Sequence, residues 1–121
     1  MIKIEQISKQ YGKQQVLNAL TLHLMPGTSY ALLGKNGAGK STLINIILNL
    51  IKADEGQISL EEKVHTTLLT EDKIKIGAIL EEPTLLKELN AVEYLSFIAK
   101  LYKLDKKIYK QRITDLLEYF F

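Results

Sequence analysis

The stretch that decides the reading is Gly34-Lys35-Asn36-Gly37-Ala38-Gly39-Lys40-Ser41-Thr42. It satisfies the spacing G-x-x-x-x-G-K-[ST] in full. Glycines lack Cβ atoms, so successive backbone N–H groups can turn inward and approach an anion closely. The residues before it, "TSYALL" (Thr28 to Leu33), read as a short buried strand, and "KSTLINIILNLI" (Lys40 to Ile51) reads as a helix. A strand, a glycine loop and a helix in that order form the setting that phosphate binding requires, because the helix adds its positive N-terminal end. In such a loop the backbone of Asn36, Gly37, Ala38 and Gly39 cradles phosphate oxygens. Lys40 reaches the β and γ phosphates, the Ser41 hydroxyl coordinates Mg²⁺, and Thr42 donates to the α-phosphate. The expected ligand is a nucleoside triphosphate. The alternative, a glycine-rich turn before a helix with a surface lysine, explains neither the spacing nor the hydroxyl after the lysine.

Upstream of the loop, Ile2, Ile4 and Ile7 mark a first strand. In "QVLNALTLHLM" (Gln15 to Met25), Val16, Leu20, Leu22 and Leu24 fall largely on a period of two. With a turn near Tyr11-Gly12, these two strands are expected to pair antiparallel, and Pro26-Gly27 is the next turn. Downstream, "ADEGQISL" (Ala53 to Leu60) supplies a glycine turn and a strand, and "KIKIGAIL" (Lys73 to Leu80) reads as another strand, stopped at Glu81-Glu82-Pro83. After Pro83 the apolar period becomes helical. Ala91, Tyr94, Leu95, Ile98, Leu101 and Tyr102 share one face behind a capping box of Asn90 and Glu93. A further helix, with Asp105 as candidate cap, places Ile108, Ile113, Leu116, Leu117 and Phe120 together. It ends on Phe120-Phe121 without glycine or a polar tail, from which a chain cut inside a longer domain is expected.

Composition bounds the class. An apolar fraction of 46% with 25% charged residues describes a globular chain, and the lack of cysteine excludes disulfides and thiolate metal sites. No stretch approaches the roughly 18 apolar residues of a membrane span, and the N-terminus lacks the pattern of a signal peptide. The formal net charge is +2. Lys100, Lys103, Lys106, Lys107, Lys110 and Arg112 cluster late, but interspersed acids and the lack of alternating aromatic residues read as a solvated helix face, so no nucleic-acid partner is expected.

The run from "IEQISKQYGKQQVL" through "GKNGAGKSTL" to "ADEGQISL" resembles the first half of an ABC transporter nucleotide-binding domain, and the likeness extends over essentially all of Met1 to Phe121. The resemblance implies an α/β fold. It comprises, over residues 1–82, the N-terminal part of a P-loop NTPase core with a mainly parallel sheet, including an antiparallel β arm and the Walker A loop and reaching to the Q-loop, and, over 83–121, the beginning of a helical subdomain. The implied ligands are ATP and Mg²⁺. Tyr11 stands where the family stacks an aromatic ring on adenine, the alternative being a turn tyrosine packed on its own strands, and Val16 adds apolar contact to base or ribose. Glu81 occupies the place of the family's Q-loop glutamine, either as a ligand or sensor of Mg²⁺ or as a loop acid without that duty. Its "EEP" context is similar to ATPases of bacterial antimicrobial-peptide exporters of the bacitracin and lantibiotic type.

Further implications are a second nucleotide-binding domain that completes the site, transmembrane permease subunits contacting the region around Glu81 to Asn90, and a cytoplasmic location on the inner membrane face. The LSGGQ-like signature, the Asp-Glu pair of Walker B and the switch histidine are not found in these residues, so hydrolysis by this chain alone is not expected, and no catalytic residue is assigned. Two alternatives remain: a stand-alone or degenerate nucleotide-binding module, and a soluble ABC protein acting on ribosomes or DNA, which would need tandem domains and basic linkers.

Overall fold

The computed structural model describes residues 1–61, 63–64, 75–79, 86 and 88–120. The chain forms two compact units, Met1–Ala78 and Ile79–Phe121. In the first, β1 (Ile2–Tyr11) and β2 (Gln14–Leu24) make the expected antiparallel hairpin, turning at Gly12 with φ +59°, where glycine carries no steric cost. Register shifts interrupt the pairing between Ile4 and Ile7 and again around Lys9. Gln6 and Ala19 take positive φ there, and hydroxyls meet the displaced amides: Thr21 Oγ1 accepts from the Gln6 N–H (3.1 Å) and Ser8 Oγ from the Ala19 N–H (3.0 Å). The bulges also explain why Leu17, outside the simple alternation, is buried while Leu20, Leu22 and Leu24 are only half-buried.

Strand β3 (Glu55–Leu60) pairs antiparallel with the other edge of β1, and β4 (Lys63–Val64) closes the order β2-β1-β3-β4. Gly56 of β3 lies against the first bulge. A Cβ there would sit 2.3 Å from the Gln6 carbonyl oxygen, so only glycine fits. Helix α1 (Lys40–Ile47) covers this sheet through Leu43 and Ile46, which join Ile4, Ile7, Leu17 and Ile58 in one core. Ile4 and Ile7 are fully enclosed; burial of a side chain of this size contributes about 1.5–3 kcal/mol.

Four expectations are corrected. The helix after the glycine loop ends at Ile47 rather than Ile51, because Asn49 adopts φ +58° and the Leu50 and Asn49 amides fold back onto the carbonyls of Asn45 and Ile46, a Schellman closure. Residues 28–33, expected as a buried strand, are irregular and exposed, with Leu33 at 87%. Residues 75–79 of the expected strand 73–80 are likewise irregular, and the rest of that segment lies outside the described residues. A buried strand of a parallel sheet needs a ladder on both edges, and among the described residues neither segment pairs with a strand. Every strand pair among them is antiparallel, so the mainly parallel sheet is not present there.

Among the described residues the second unit shows two helices, α2 (Ala91–Leu101) and α3 (Lys106–Phe120). The capping box is complete, with the Asn90 side chain accepting from the Glu93 N–H and the Glu93 carboxylate accepting from the Asn90 N–H. Asp105 caps α3 by accepting from Lys107 N–H at 2.9 Å. Ala99, Tyr109 and Ile113 form its core with Leu95 and Leu117 beside them, whereas Ile108, Leu116 and Phe120, from the same expected apolar face, are exposed.

Candidate functional site

The glycine loop is built in the first unit between the hairpin and α1. A turn at Lys35–Ala38 closes through the Ala38 N–H to the Lys35 carbonyl (3.1 Å), with Asn36 exposed and Gly37 at φ +81°. Gly39 is buried, caps α1 at φ +84°, and stands against β2 so closely that a Cβ would lie 2.8 Å from the Val16 carbonyl oxygen and 2.9 Å from Leu17 Cδ2. The loop is therefore docked on the hairpin at Val16. No side chain caps α1 and no acidic residue occupies its first turn. The amides of Lys40, Ser41 and Thr42 stay directed out of the helix N-terminus, which favours an anion.

Lys40 Nζ donates to the carbonyls of Gly34 (2.7 Å) and Lys35 (2.8 Å). The ammonium is thus folded over the loop, held by neutral acceptors that a phosphate would outcompete. Ser41 is exposed and Thr42 half-buried on the first turn of α1. These features fit a nucleoside triphosphate: uncapped amides, a positive helix end, a lysine over the loop and no acidic residue in the first turn of α1. Among the described residues no group of three His, Cys, Asp or Glu could hold a metal by itself, so a cation bound here would take most of its oxygens from phosphate and water, with Ser41 as the protein donor. Glu81 lies outside the described residues.

Tyr11 ends β1 at the turn of the hairpin, paired with Gln14 and 47% exposed. Cross-strand pairing joins Lys9 to Leu17, which packs on Gly39, so the hairpin brings the Tyr11 end of β1, Val16 and the loop into one region. Sequence reasoning missed the group that ties this end down. Asp54 accepts from Lys9 Nζ (2.7 Å) and from the Gln10 N–H (2.7 Å). The Lys9 hydrogen bond, then the Gln10 amide, hold the Asp54 carboxyl below its ordinary pKa of 3.8. No local signal marks it, since its partners lie more than forty residues away in sequence.

Residues 17–120 match the family model described as ABC transporter. The linearmycin resistance ATP-binding protein of Bacillus subtilis (strain 168) is 39% identical over 119 residues, covering 98% of this chain and 38% of that protein. The bacitracin transport ATP-binding protein of Enterococcus faecalis is 37% identical over 106 residues, covering 84% of this chain and 33% of the relative. The chain thus spans well under half the length of these relatives. Among solved structures, an ATP-binding subunit of an ABC transporter superposes with a TM-score of 0.84 at 32% identity, over 97% of this chain and 49% of the other. By the family match over most of its length, the chain belongs to the ABC transporter ATP-binding family, whose fold is an α/β nucleotide-binding cassette.

Proposed function

We propose that residues 1–82 carry the nucleotide-binding part of a transporter's ATP-binding subunit, and residues 83–121 the start of its partner-facing helical part. Mg-ATP sits on Gly34–Thr42, with Lys40 on the terminal phosphates, Ser41 toward the metal, Val16 beside the sugar or base, and Tyr11 on adenine. Glu81, outside the described residues, keeps the metal-ligand or sensor role that the family resemblance assigns to it. The observation that carries this reading is the uncapped N-terminus of α1 under a lysine held only by loop carbonyls.

In the complete protein, ATP supplies the free energy of phosphoryl transfer. What these residues contribute is positioning and charge stabilisation, the main ingredients of that chemistry. A second cassette completes the site, and permease subunits meet the segment around Glu81–Asn90 on the cytoplasmic side of the membrane. No helix among the described residues is long and apolar enough to cross a membrane. The likeness to a linearmycin resistance and a bacitracin transport protein supports export of antimicrobial peptides or drugs as the coupled process.

Titration calorimetry of the chain with Mg-ATP, beside Lys40→Ala, tests the binding reading. The expected result is saturable binding that the variant weakens by about tenfold or more, since loss of a charged hydrogen bond to phosphate is worth about 1.5–3 kcal/mol. No phosphate release is expected from either. Binding unaffected by Lys40→Ala would overturn the assignment.

A further inference from the structure

Beyond its last pairing with β3, at Ser8 opposite Glu55, β1 continues for three residues to Tyr11 with one edge left open. Asp54 fills that edge. Its own N–H donates to the Ser8 carbonyl (3.0 Å), and its two carboxylate oxygens accept from Lys9 Nζ and from the Gln10 N–H at 2.7 Å each. Three consecutive residues leading into Tyr11 are gripped by one side chain and its backbone. The Lys9 ammonium reaches further, standing 5.6 Å from the centroid of the Tyr11 ring. The Lys9 side chain is only 14% exposed although charged, which a lysine accepts when its head is paired and its stem packed. Gln10 Nε2 adds a bond to the Gly12 carbonyl, fixing the start of the turn.

We propose that Asp54 and Lys9 are positioning residues for the adenine ring of the bound nucleotide: Asp54 locks the backbone before Tyr11, and Lys9 covers one face of the tyrosine ring, presenting the opposite face to the base. The proposal rests on the nucleotide reading above and deepens it. A ring held by a cation on one side and a fixed backbone beneath loses little rotamer freedom when a base stacks on it. Without the pair, the last residues of β1 are held only by β2, and Tyr11 must be ordered by the nucleotide itself.

Inorganic tripolyphosphate separates this device from the phosphate cradle, because it has no base. Asp54→Asn and Lys9→Met, each checked for an unchanged circular dichroism spectrum, are titrated with Mg-ATP and with Mg-tripolyphosphate. Each variant is expected to weaken ATP about five- to tenfold, part of what a base–aromatic stack contributes, and to leave tripolyphosphate within about twofold of wild type. The double variant is expected to lose no more than either single one, since both break one unit. Lys40→Ala weakens both ligands and so reports the cradle separately. Equal weakening of ATP and tripolyphosphate by Asp54→Asn, or no change in either, would overturn the proposal.

A ligand-free reading keeps the two ideas distinct. The chain has no tryptophan, so Tyr11→Trp gives a single reporter. Adding Asp54→Asn to it should lower the indole anisotropy and raise acrylamide quenching; no change in either would reject the pair as a holder of the ring. If wild type binds neither ligand, the nucleotide reading fails, and the adenine role fails with it whatever the reporter shows.

Discussion

Gly39 is the residue on which the site turns. Its φ of +84° is costly for any side chain, and a Cβ would strike the Val16 carbonyl at 2.8 Å. Gly39→Ala is expected to destabilise the chain by about 2 kcal/mol or more, since the left-handed conformation alone costs roughly 1–2 kcal/mol and the contact forces the loop from β2. Urea unfolding of the two proteins measures it. Asp54 makes a second residue-scale prediction, through pH. Its pKa is depressed in the folded chain, so its contribution is present above the unfolded value of 3.8 and disappears as pH falls through the lower folded value. Asp54→Asn should therefore be less stable at neutral pH and lose less further stability on acidification than wild type, a difference visible in acid-unfolding curves followed by circular dichroism. The shape of the glycine loop was legible residue by residue, because Gly37 and Gly39 permit the positive φ angles it takes. Asp54 and Lys9 were not, because their meeting depends on β3 returning to β1.

At the scale of elements, local chemistry decided some boundaries and tertiary pairing the others. The capping box at Asn90 and Glu93 and the cap at Asp105 were readable as spacings, and each is present. Asn90→Ala is expected to lower stability by about 1 kcal/mol, the ordinary worth of an N-cap side chain, with the loss seen as reduced helix signal from α2. The end of α1 was not readable: "INIILNLI" has helical spacing throughout, yet Asn49 can enter the left-handed region and closes the helix early. Thr28–Leu33 shows the opposite failure. Its composition is that of a buried strand, but β propensity expresses packing against neighbours, and among the described residues it has no paired strand. The bulged hairpin lies between these cases, its strands foreseen and its displaced register at Gln6 and Ala19 invisible to a simple period of two.

At the scale of the molecule, the two units differ in how much holds them. Among the described residues, the first has six buried apolar residues in one cluster beneath a sheet, and the second has Ala99, Tyr109 and Ile113. A helix pair of this size with so small a core is marginal by surface-to-volume scaling alone. Amides of 91–120 are therefore expected to exchange with deuterium well before those of β1, and Ile113→Ala, by opening the smaller core, should accelerate exchange in α2 and α3 while leaving β1 and β2 unchanged. Exchange followed by mass spectrometry with peptide resolution tells these outcomes apart; equal protection across both units would contradict the reading.

The pairing of β1 with both β2 and β3 also sets an order in time. The β1–β2 hairpin closes over a two-residue turn, an event of about 1–10 μs. Joining Ile2 to Leu60 must bring together segments separated by the glycine loop and all of α1, a slower closure because the intervening chain loses its freedom first. Asp54 reaches Lys9 and Gln10 only after that closure. During refolding, a tryptophan at position 11 would thus report two phases: early hairpin formation, then a later immobilisation that coincides with the arrival of β3.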